Sequence, residues 1–238
     1  MCLSIILQKE KWKFMKLYLI KLITLSLVVC FNTVNASNFK AEYNVSTSGI
    51  KIGKFNWILK VSEEDYYTEI NLKNSGVLSP LYKFKGRYTS FGKIENDNFK
   101  TDEYKQNWET KKKTKVVEML FKKNYLTELR QDPKEEEFSR IDLYGLFGYF
   151  DPITSFINIL NGKNEAKTVD GRRIYIMKKT NFDDSKNVIL KIKGYKNIWA
   201  DHKRNDLKKI EFFLKEGVFL PIEIHVHFKD RIFKLKKV

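Results

Sequence analysis

An alternation of apolar and polar residues with a period of two runs through most of this chain and restricts its fold more than any other feature. Between Phe39 and Val45 the odd-numbered residues are apolar and the even-numbered ones are polar. The odd-numbered positions are again apolar from Phe55 to Val61. Because consecutive side chains of a β-strand point to opposite faces, the pattern predicts strands with one apolar and one polar face.

Similar segments recur towards the C-terminus, and only four prolines interrupt them. Gly53 lies where the alternation changes phase, as a β-bulge requires. Further strands are expected over 66–72, 82–88, 99–108, 115–121, 125–129, 172–178, 187–193, 207–215, 219–228 and 231–236. About a dozen antiparallel strands predict an all-β fold, either a strongly curved antiparallel sheet or an incomplete β-barrel, because a flat sheet of that width would expose a wide apolar face.

One helix is expected in the central part of the chain. Asp151 is a favourable N-cap, and Pro152 suits the first helical position. Apolar residues follow at helical spacing up to Leu160, and Asn161-Gly162 ends the element. The preceding segment, 144–150, is apolar and broken by glycines, which favours a buried loop or a lid. The helix is therefore expected to serve as a plug within the curved sheet or as a lid over its mouth.

The N-terminus has the order of a secretory signal peptide. Five lysines precede an uncharged run from Leu22 to Phe31, and Val34-Asn35-Ala36 follows. This order predicts a signal over residues 1–36 that is cleaved after Ala36. The remaining residues, 37–238, are enough for one core and are expected to form a single β-rich domain in the periplasm.

Three alternatives concern this segment. The first alternative is that the signal is not cleaved and anchors the protein in the inner membrane. The uncharged run is shorter than a bilayer span, which takes about 20 apolar residues. Met15 opens a more ordinary signal than Met1, so either start is considered. Lipid attachment at Cys30 is rejected because Val29 stands where a small residue is needed. Cys2 and Cys30 are the two cysteines, so the exported domain has no disulfide, which suits a periplasm-like compartment.

The charge of the chain is strongly positive, with a formal net charge of +16. Removing the five lysines and Glu10 of the signal from the 45 basic and 29 acidic residues leaves +12. Nucleic acid is the usual partner of such a surface, but export argues against it and favours anionic envelope surfaces. The alternative is that a chain rich in Lys, Asn and Ile reflects a biased genome composition, because net charge concerns solubility before partners. One place for contact with an anionic surface is a dense basic run at an expected hairpin, formed by Lys111, Lys112, Lys113 and Lys115. The alternative is that this run is a solvated turn whose charges discourage pairing with another strand edge.

Residues 37–238 contain no phosphate-binding glycine loop, nucleophile elbow or His-Glu-x-x-His pair. We therefore expect neither an enzyme nor a cofactor. The sharpest local pattern is Glu223, His225 and His227, which share one face of a strand and resemble the ligand set of a divalent metal. The alternative is the polar side of an amphipathic strand. His202 would complete a metal site only if the fold brought it close.

Aromatic residues make up 14% of the chain. If the barrel is too wide for its side chains to fill, aromatic rings on the inner faces would line a cavity for an acyl chain or another apolar ligand. The alternative is that the same rings form the core. The candidate ligand-binding residues are Trp57, Tyr82, Phe84, Tyr88, Trp108, Phe150 and Phe156.

Several landmarks together resemble a family of exported bacterial proteins, domain-of-unknown-function family 3108. They are the strand and glycine over 43–53, the segment 82–92, the Asp151-Pro152 helix, the run 169–172 and the closing segment 212–221. The resemblance covers nearly all of the exported part and implies export and a β architecture. It implies no activity and no catalytic residues.

Three functions follow as hypotheses. The first is a non-catalytic envelope protein that binds or escorts a hydrophobic or amphiphilic ligand. The second is a structural or interaction module of the cell envelope, which predicts an exposed apolar patch or an unpaired strand edge. The third, a hydrolase or a metal-binding protein, depends on carboxylates and on the face of Glu223, His225 and His227.

Overall fold

The computed structural model describes residues 36–76, 83–180, 187–199 and 206–238. From Ala36 onwards these residues form one compact unit of fourteen strands and one helix. In chain order the elements are β1 (Ser37–Thr47), β2 (Ile50–Val61), β3 (Asp65–Asn74), β4 (Phe84–Glu95), β5 (Asn98–Thr110), β6 (Thr114–Lys122), β7 (Tyr125–Asp132), β8 (Tyr149–Phe150), α1 (Pro152–Leu160), β9 (Glu165–Val169), β10 (Arg173–Lys179), β11 (Asn187–Asn197), β12 (Leu207–Lys215), β13 (Val218–Phe228) and β14 (Arg231–Lys237). The signal segment proposed above lies outside the described residues, apart from Ala36.

All fourteen strands belong to one sheet in the order β7-β6-β5-β4-β3-β2-β1-β14-β13-β12-β11-β10-β9-β8. Two antiparallel meanders therefore meet where the first strand pairs with the last, with Val45 opposite Leu235. The predicted all-β fold, a curved sheet that forms a nearly closed barrel with one helix, is confirmed. The bulge predicted at Gly53 is also present, because the register of β1 and β2 shifts between Val45 and Ser46.

Two short strands differ from the expectation. Tyr149 and Phe150, expected in an irregular loop, form β8 and pair in parallel with Lys167 and Thr168 of β9. This departs from the purely antiparallel sheet that was predicted, and β9 itself was not predicted. The two residues of β8 show no alternation, and pairing with neighbouring strands sets the conformation of both elements, β8 with β9 and β9 with β10.

The sheet has two edge strands, β7 and β8. Contacts of β7 and the turn before it with the segment before β8 and with the β9–β10 turn nearly close the barrel. At one end, Tyr125 forms a bridge with Phe147, and the amide of Gly148 donates to the carbonyl oxygen of Asn124 over 2.9 Å. At the other end, Nε2 of Gln131 on β7 donates to the carbonyl oxygen of Gly171 over 3.1 Å. We call this line of contacts the seam.

The helix α1 lies inside the barrel, so of the two alternatives it is the plug. Every residue from Ile153 to Ile159 is buried. The ring of Phe156 contacts Trp57 on β2 at a centroid distance of 5.6 Å and Phe212 on β12 at 4.5 Å. These two strands belong to different meanders, so the helix touches walls on both sides of the interior.

Successive turns of an antiparallel meander lie at alternate ends of the barrel. The turns β1–β2, β5–β6, β9–β10 and β13–β14 share one end, which we call the mouth end. The turns β2–β3, β4–β5, β6–β7 and β12–β13 share the other, which we call the plug end. The helix terminates at the plug end, because Nδ2 of Asn161 donates to the carbonyl oxygen of Asp97 in the β4–β5 turn over 2.8 Å.

Candidate ligand-binding cavity

An apolar cavity of about 220 Å³ lies between the first turn of α1 and the inner faces of the surrounding strands. Nearly all of its lining is hydrocarbon, because the inward positions of six strands are aliphatic or aromatic. The lining residues are Phe55, Trp57, Ile70, Pro152, Ile153, Phe156, Tyr175, Met177, Leu207, Ile210, Ile224, Val226 and Leu235.

The cavity opens towards the mouth end. Trp57 and Ile224, which line its inner part, are buried. Phe55, Leu207 and Val226 lie nearer the mouth-end turns of their strands and are only partly buried. On β2, β12 and β13 the exposure of the lining side chains thus increases from the helix towards the mouth end.

The only polar atom of the Trp57 side chain is already satisfied. Its Nε1–H donates to Oγ1 of Thr68 over 2.9 Å, and the Thr68 hydroxyl in turn donates to the carbonyl oxygen of Ile58 over 3.0 Å. The indole therefore presents apolar surface to the cavity and leaves no buried donor that a ligand would have to match.

A buried carboxylate fixes the depth of the helix. Oδ1 of Asp151 accepts from the amides of Ile153 and Thr154 over 2.8 and 3.1 Å, which caps the helix. Oδ2 accepts from the hydroxyls of Ser90 on β4 over 2.8 Å and Thr101 on β5 over 2.7 Å, and from the Thr154 hydroxyl. The floor of the cavity is thereby attached to the barrel wall through polar contacts.

Burial raises the pKa of Asp151 above its ordinary value, while the hydrogen bonds that it accepts act in the opposite direction. Tyr66 extends the same cluster, because its hydroxyl shares a hydrogen bond of 2.6 Å with the Thr154 hydroxyl. Burial raises the pKa of Tyr66 as well. Each described polar group of the cluster has partners within the protein, which is the pattern of a structural network.

The seven candidate aromatic residues differ in whether they line the cavity. Trp57 and Phe156 line the cavity, and Tyr82 lies outside the described residues. The other four do not line this cavity: Phe84, Tyr88, Trp108 and Phe150.

The reason is local packing. Phe84 and Trp108 stack on each other at a centroid distance of 5.7 Å and an interplanar angle of 8°. Gly86 lies directly opposite Trp108 in the register of β4 and β5, and its lack of a side chain lets the rings of Trp108 and Tyr88 lie against the backbone. Phe150 belongs to the edge strand β8, where Nζ of Lys100 lies 5.6 Å from its ring centroid.

Glu223, His225 and His227 do share one face of β13, as expected, but each histidine already has a carboxylate partner. His225 Nε2 is 2.6 Å from Glu223 Oε1, and His227 Nε2 is 2.7 Å from Glu211 Oε2. Burial acts to raise the pKa of Glu211, but Lys209 and His227 lower it overall. No group of three His, Cys, Asp or Glu residues suited to a metal ion is found in the described ranges, and His202 lies outside them.

The basic run at the expected hairpin occupies two different environments. Lys111, Lys112 and Lys113 are exposed in the β5–β6 turn at the mouth end. Lys115 is partly buried and lines a small polar recess of about 180 Å³ beside Arg172 at the seam. Burial, followed by the charge of Arg172, lowers the pKa of Lys115. The first three lysines, and not Lys115, belong to an exposed cationic surface.

Sequence reasoning missed most of the cavity lining. Ile210, Ile224 and Leu235 appeared only as apolar positions of C-terminal strands, because the alternation identifies inward side chains but not those that border empty space. The inward hydroxyls of Ser90 and Thr101 carried a usable signal, since polar residues at apolar positions of a strand imply a buried partner.

Comparison with known proteins gives the family but no activity. Residues 42–199 match the family described as "Protein of unknown function (DUF3108)". A crystal structure of a beta-barrel-like protein of domain of unknown function DUF1849 from Brucella abortus is similar with a TM-score of 0.46 and 13% identity, over 87% of this chain and 98% of that chain. The curated proteins contain no significant match. Within the described ranges no helix is both long and apolar enough to cross a bilayer. Since the family match covers more than half of the chain, this protein belongs to the DUF3108 family of proteins of unknown function.

Proposed function

We propose that this protein is an exported, non-catalytic envelope protein that binds a hydrophobic or amphiphilic ligand and escorts it through the periplasm. The observation that carries the proposal is the apolar cavity between α1 and the mouth end. An apolar space that opens to one side favours a ligand with an apolar part inside and a polar part at the opening.

The size of the cavity restricts the ligand. Its volume of about 220 Å³ is below the roughly 300–1,000 Å³ of pockets that enclose a drug-sized molecule. It suits one acyl chain or a small apolar group, with the rest of an amphiphile outside. The helix limits the depth, because Phe156 and Ile153 form its floor.

The proposed compartment is supported by the signal-like N-terminus and by the lack of cysteine after Cys30. The non-catalytic part rests on the lack of a recognisable catalytic motif in the sequence of residues 37–238. It also agrees with the Asp151 cluster, in which the buried carboxylate is engaged by hydroxyls and amides that belong to the fold.

Occupation of the cavity can be tested by filling it. Ile70 lines the cavity and is partly buried, so Ile70→Trp places an indole in the space that a ligand would use. Ile58→Trp is the matched control, because Ile58 is also partly buried but points to the outer face of β2, outside the cavity. The readout is the fluorescence of phenylnaphthylamine, an uncharged apolar probe. We expect Ile70→Trp to abolish saturable probe binding and Ile58→Trp to retain it.

Equal binding by both variants, with unchanged thermal stability, would show that the cavity is not the binding site. The thermal midpoint must be measured in parallel, because a variant that unfolds exposes other apolar surfaces to the probe.

The interaction module is the second candidate, and exposed aromatic residues favour it. Phe138 is 96% exposed, Tyr144 59% and Phe147 55%, all within the segment that follows β7 along the seam. If the protein is an interaction module, replacing these three residues by serine should abolish a stoichiometric complex with an envelope protein. If it is a ligand-binding protein, the same replacements should leave probe binding unchanged.

A further inference from the structure

Cationic side chains are concentrated at the mouth end of the barrel. Exposed lysines and arginines occur at the start of β4, in the β5–β6 turn, at the end of β11 and in the β13–β14 turn, which lie in both meanders of the sheet. They are Lys83, Lys85, Lys112, Lys113, Lys193, Lys196, Lys229 and Arg231.

The plug end has a different charge pattern. Its β2–β3 turn carries Glu63, Glu64 and Asp65, and its β4–β5 turn carries Glu95 and Asp97. Lysines are present there as well, so positive and negative groups are mixed. The net positive charge of the described domain is therefore distributed unevenly, with its excess around the opening of the cavity.

A groove on the outer face of β11–β14 is the densest part of this cationic surface. It has a volume of about 540 Å³, and its lining includes six cations and one carboxylate, Asp230. Three of the cations lie near carboxylates: Lys208 is 3.6 Å from Asp230, Lys209 is 2.8 Å from Glu211 and Lys229 is 4.0 Å from Asp206. The six are Lys191, Lys193, Lys208, Lys209, Lys229 and Arg231.

We infer that the mouth end docks on the surface of an anionic phospholipid bilayer. The cavity opening then faces the membrane, and the ligand passes between the two. This inference deepens the proposed function and rests on it. The cations surround the opening on several sides instead of converging on one point, which suits an extended anionic surface better than a single small anion. The aliphatic side chains of Ile50 and Ile232, which are 48% and 41% exposed, lie at the same end and can enter the head-group region.

Carboxylates are present at this end as well, and Glu135, Glu136 and Glu137 form an acidic run of three. It lies beside the seam, where Glu135 forms an ion pair with Arg172 and Glu137 one of 3.5 Å with Arg140. Lys134 directly precedes the run, so three cations match its three carboxylates and this part of the mouth end has no excess of positive charge. The docking surface is therefore the remaining part of the mouth end, from β4 to β6 and from β11 to β14.

The test compares two triple variants of the protein purified after expression of the full chain. The mouth-end variant is Lys83→Gln, Lys113→Gln and Lys193→Gln. The control variant is Lys122→Gln, Lys163→Gln and Lys215→Gln, which removes the same charge from exposed positions at the plug end. Co-sedimentation is measured with vesicles of phosphatidylcholine alone and with vesicles of phosphatidylcholine and phosphatidylglycerol.

We expect wild type and the control variant to bind the anionic vesicles and to release them as salt is raised towards 1 M, where the screening length falls to about 3 Å. The mouth-end variant should partition more weakly by about fivefold per removed cation, hence on the order of a hundredfold for three. Inorganic phosphate at millimolar concentration should not compete with the vesicles.

Equal binding of the two variants, equal binding to neutral and anionic vesicles, or no binding of wild type would each overturn the inference. Competition by phosphate would also overturn it, because it would indicate a site for a small anion. Phenylnaphthylamine binding measured on the same samples separates this failure from a failure of the proposed function: retained probe binding without vesicle binding leaves the ligand cavity standing and removes only the membrane contact.

Discussion

The hydroxyl of Thr101 on β5 donates a hydrogen bond of 2.7 Å to Oδ2 of Asp151, the residue that caps α1. The two residues are 50 positions apart in the chain, and both are buried. The same carboxylate thus caps the N-terminus of the helix and attaches the helix to the barrel wall. This contact determines how deep the plug lies, and therefore how much apolar space remains above it.

Loss of the Asp151 carboxylate is predicted to destabilise the fold strongly. Asp151→Ala removes a cap, at about 1 kcal/mol, and leaves buried donors without an acceptor, at about 1–3 kcal/mol. Asp151→Asn keeps an acceptor for the two amides and should cost less. Asp142→Ala is the control, since exposed Asp142 accepts from two amides in a loop and its loss should cost about 1 kcal/mol or less. Urea unfolding measures the three variants; equal losses for Asp151→Ala and Asp142→Ala would contradict the anchoring role.

The raised pKa of Asp151 predicts a pH dependence of stability. Burial makes the folded protein hold this proton more tightly than the unfolded chain, whose value is near 3.8. The free energy of unfolding should therefore decrease as the pH rises from that value through the folded pKa. The difference between wild type and Asp151→Asn, measured by urea unfolding across this range, isolates the group. A difference that does not change with pH would show that Asp151 is not perturbed.

The seam contact at Gly171 predicts an unusual sensitivity to one methyl group. Gly171 has a φ of +83°, and an added Cβ would lie 2.5 Å from Cγ1 of Val117 on β6. Gly217 has a φ of +73° with nothing within 4 Å of an added Cβ, so Gly217→Ala is the matched control. Both changes incur the left-handed penalty of about 1–2 kcal/mol, and Gly171→Ala adds a steric cost of about 1–3 kcal/mol. Thermal unfolding of the pair measures the difference, and equal midpoints would mean that the seam is not tightly packed.

A smaller side chain at the floor of the cavity should change which ligands fit. Phe156→Leu enlarges the space beside Trp57 and should cost less than the about 3–5 kcal/mol of a truncation to alanine. The variant is expected to bind longer-chain apolar probes more tightly than wild type does. Fluorescence titration with probes of increasing chain length measures this, and an unchanged length preference would argue that the ligand does not reach the helix.

The main features of the fold were predictable because they depend on local patterns. The alternation between Phe39 and Val45 gives β1, and the Asp151-Pro152 pair gives the start of α1. The parallel pairing of β8 with β9 was not predictable, because two residues show no periodicity and a contact distant in sequence determines their conformation.

The candidate site was predictable only in part. Trp57 was identified on the apolar face of a predicted strand and Phe156 on the predicted helix, and both line the cavity. Phe84 and Trp108 have the same pattern but fill their space by stacking on each other. Which inward side chains border the cavity depends on the depth of the plug, and hydrogen bonds between residues 50 and 61 positions apart set that depth. Periodicity carries no information on such contacts.

Mass spectrometry of organic extracts from the protein, purified from its native envelope and unfolded to release bound molecules, tests the ligand cavity most directly. We expect one amphiphilic molecule with an acyl-like apolar part, near one per protein in wild type and in Ile58→Trp, and strongly depleted in Ile70→Trp. Extracts of wild type without such a molecule, or the same amount from both variants, would contradict the account.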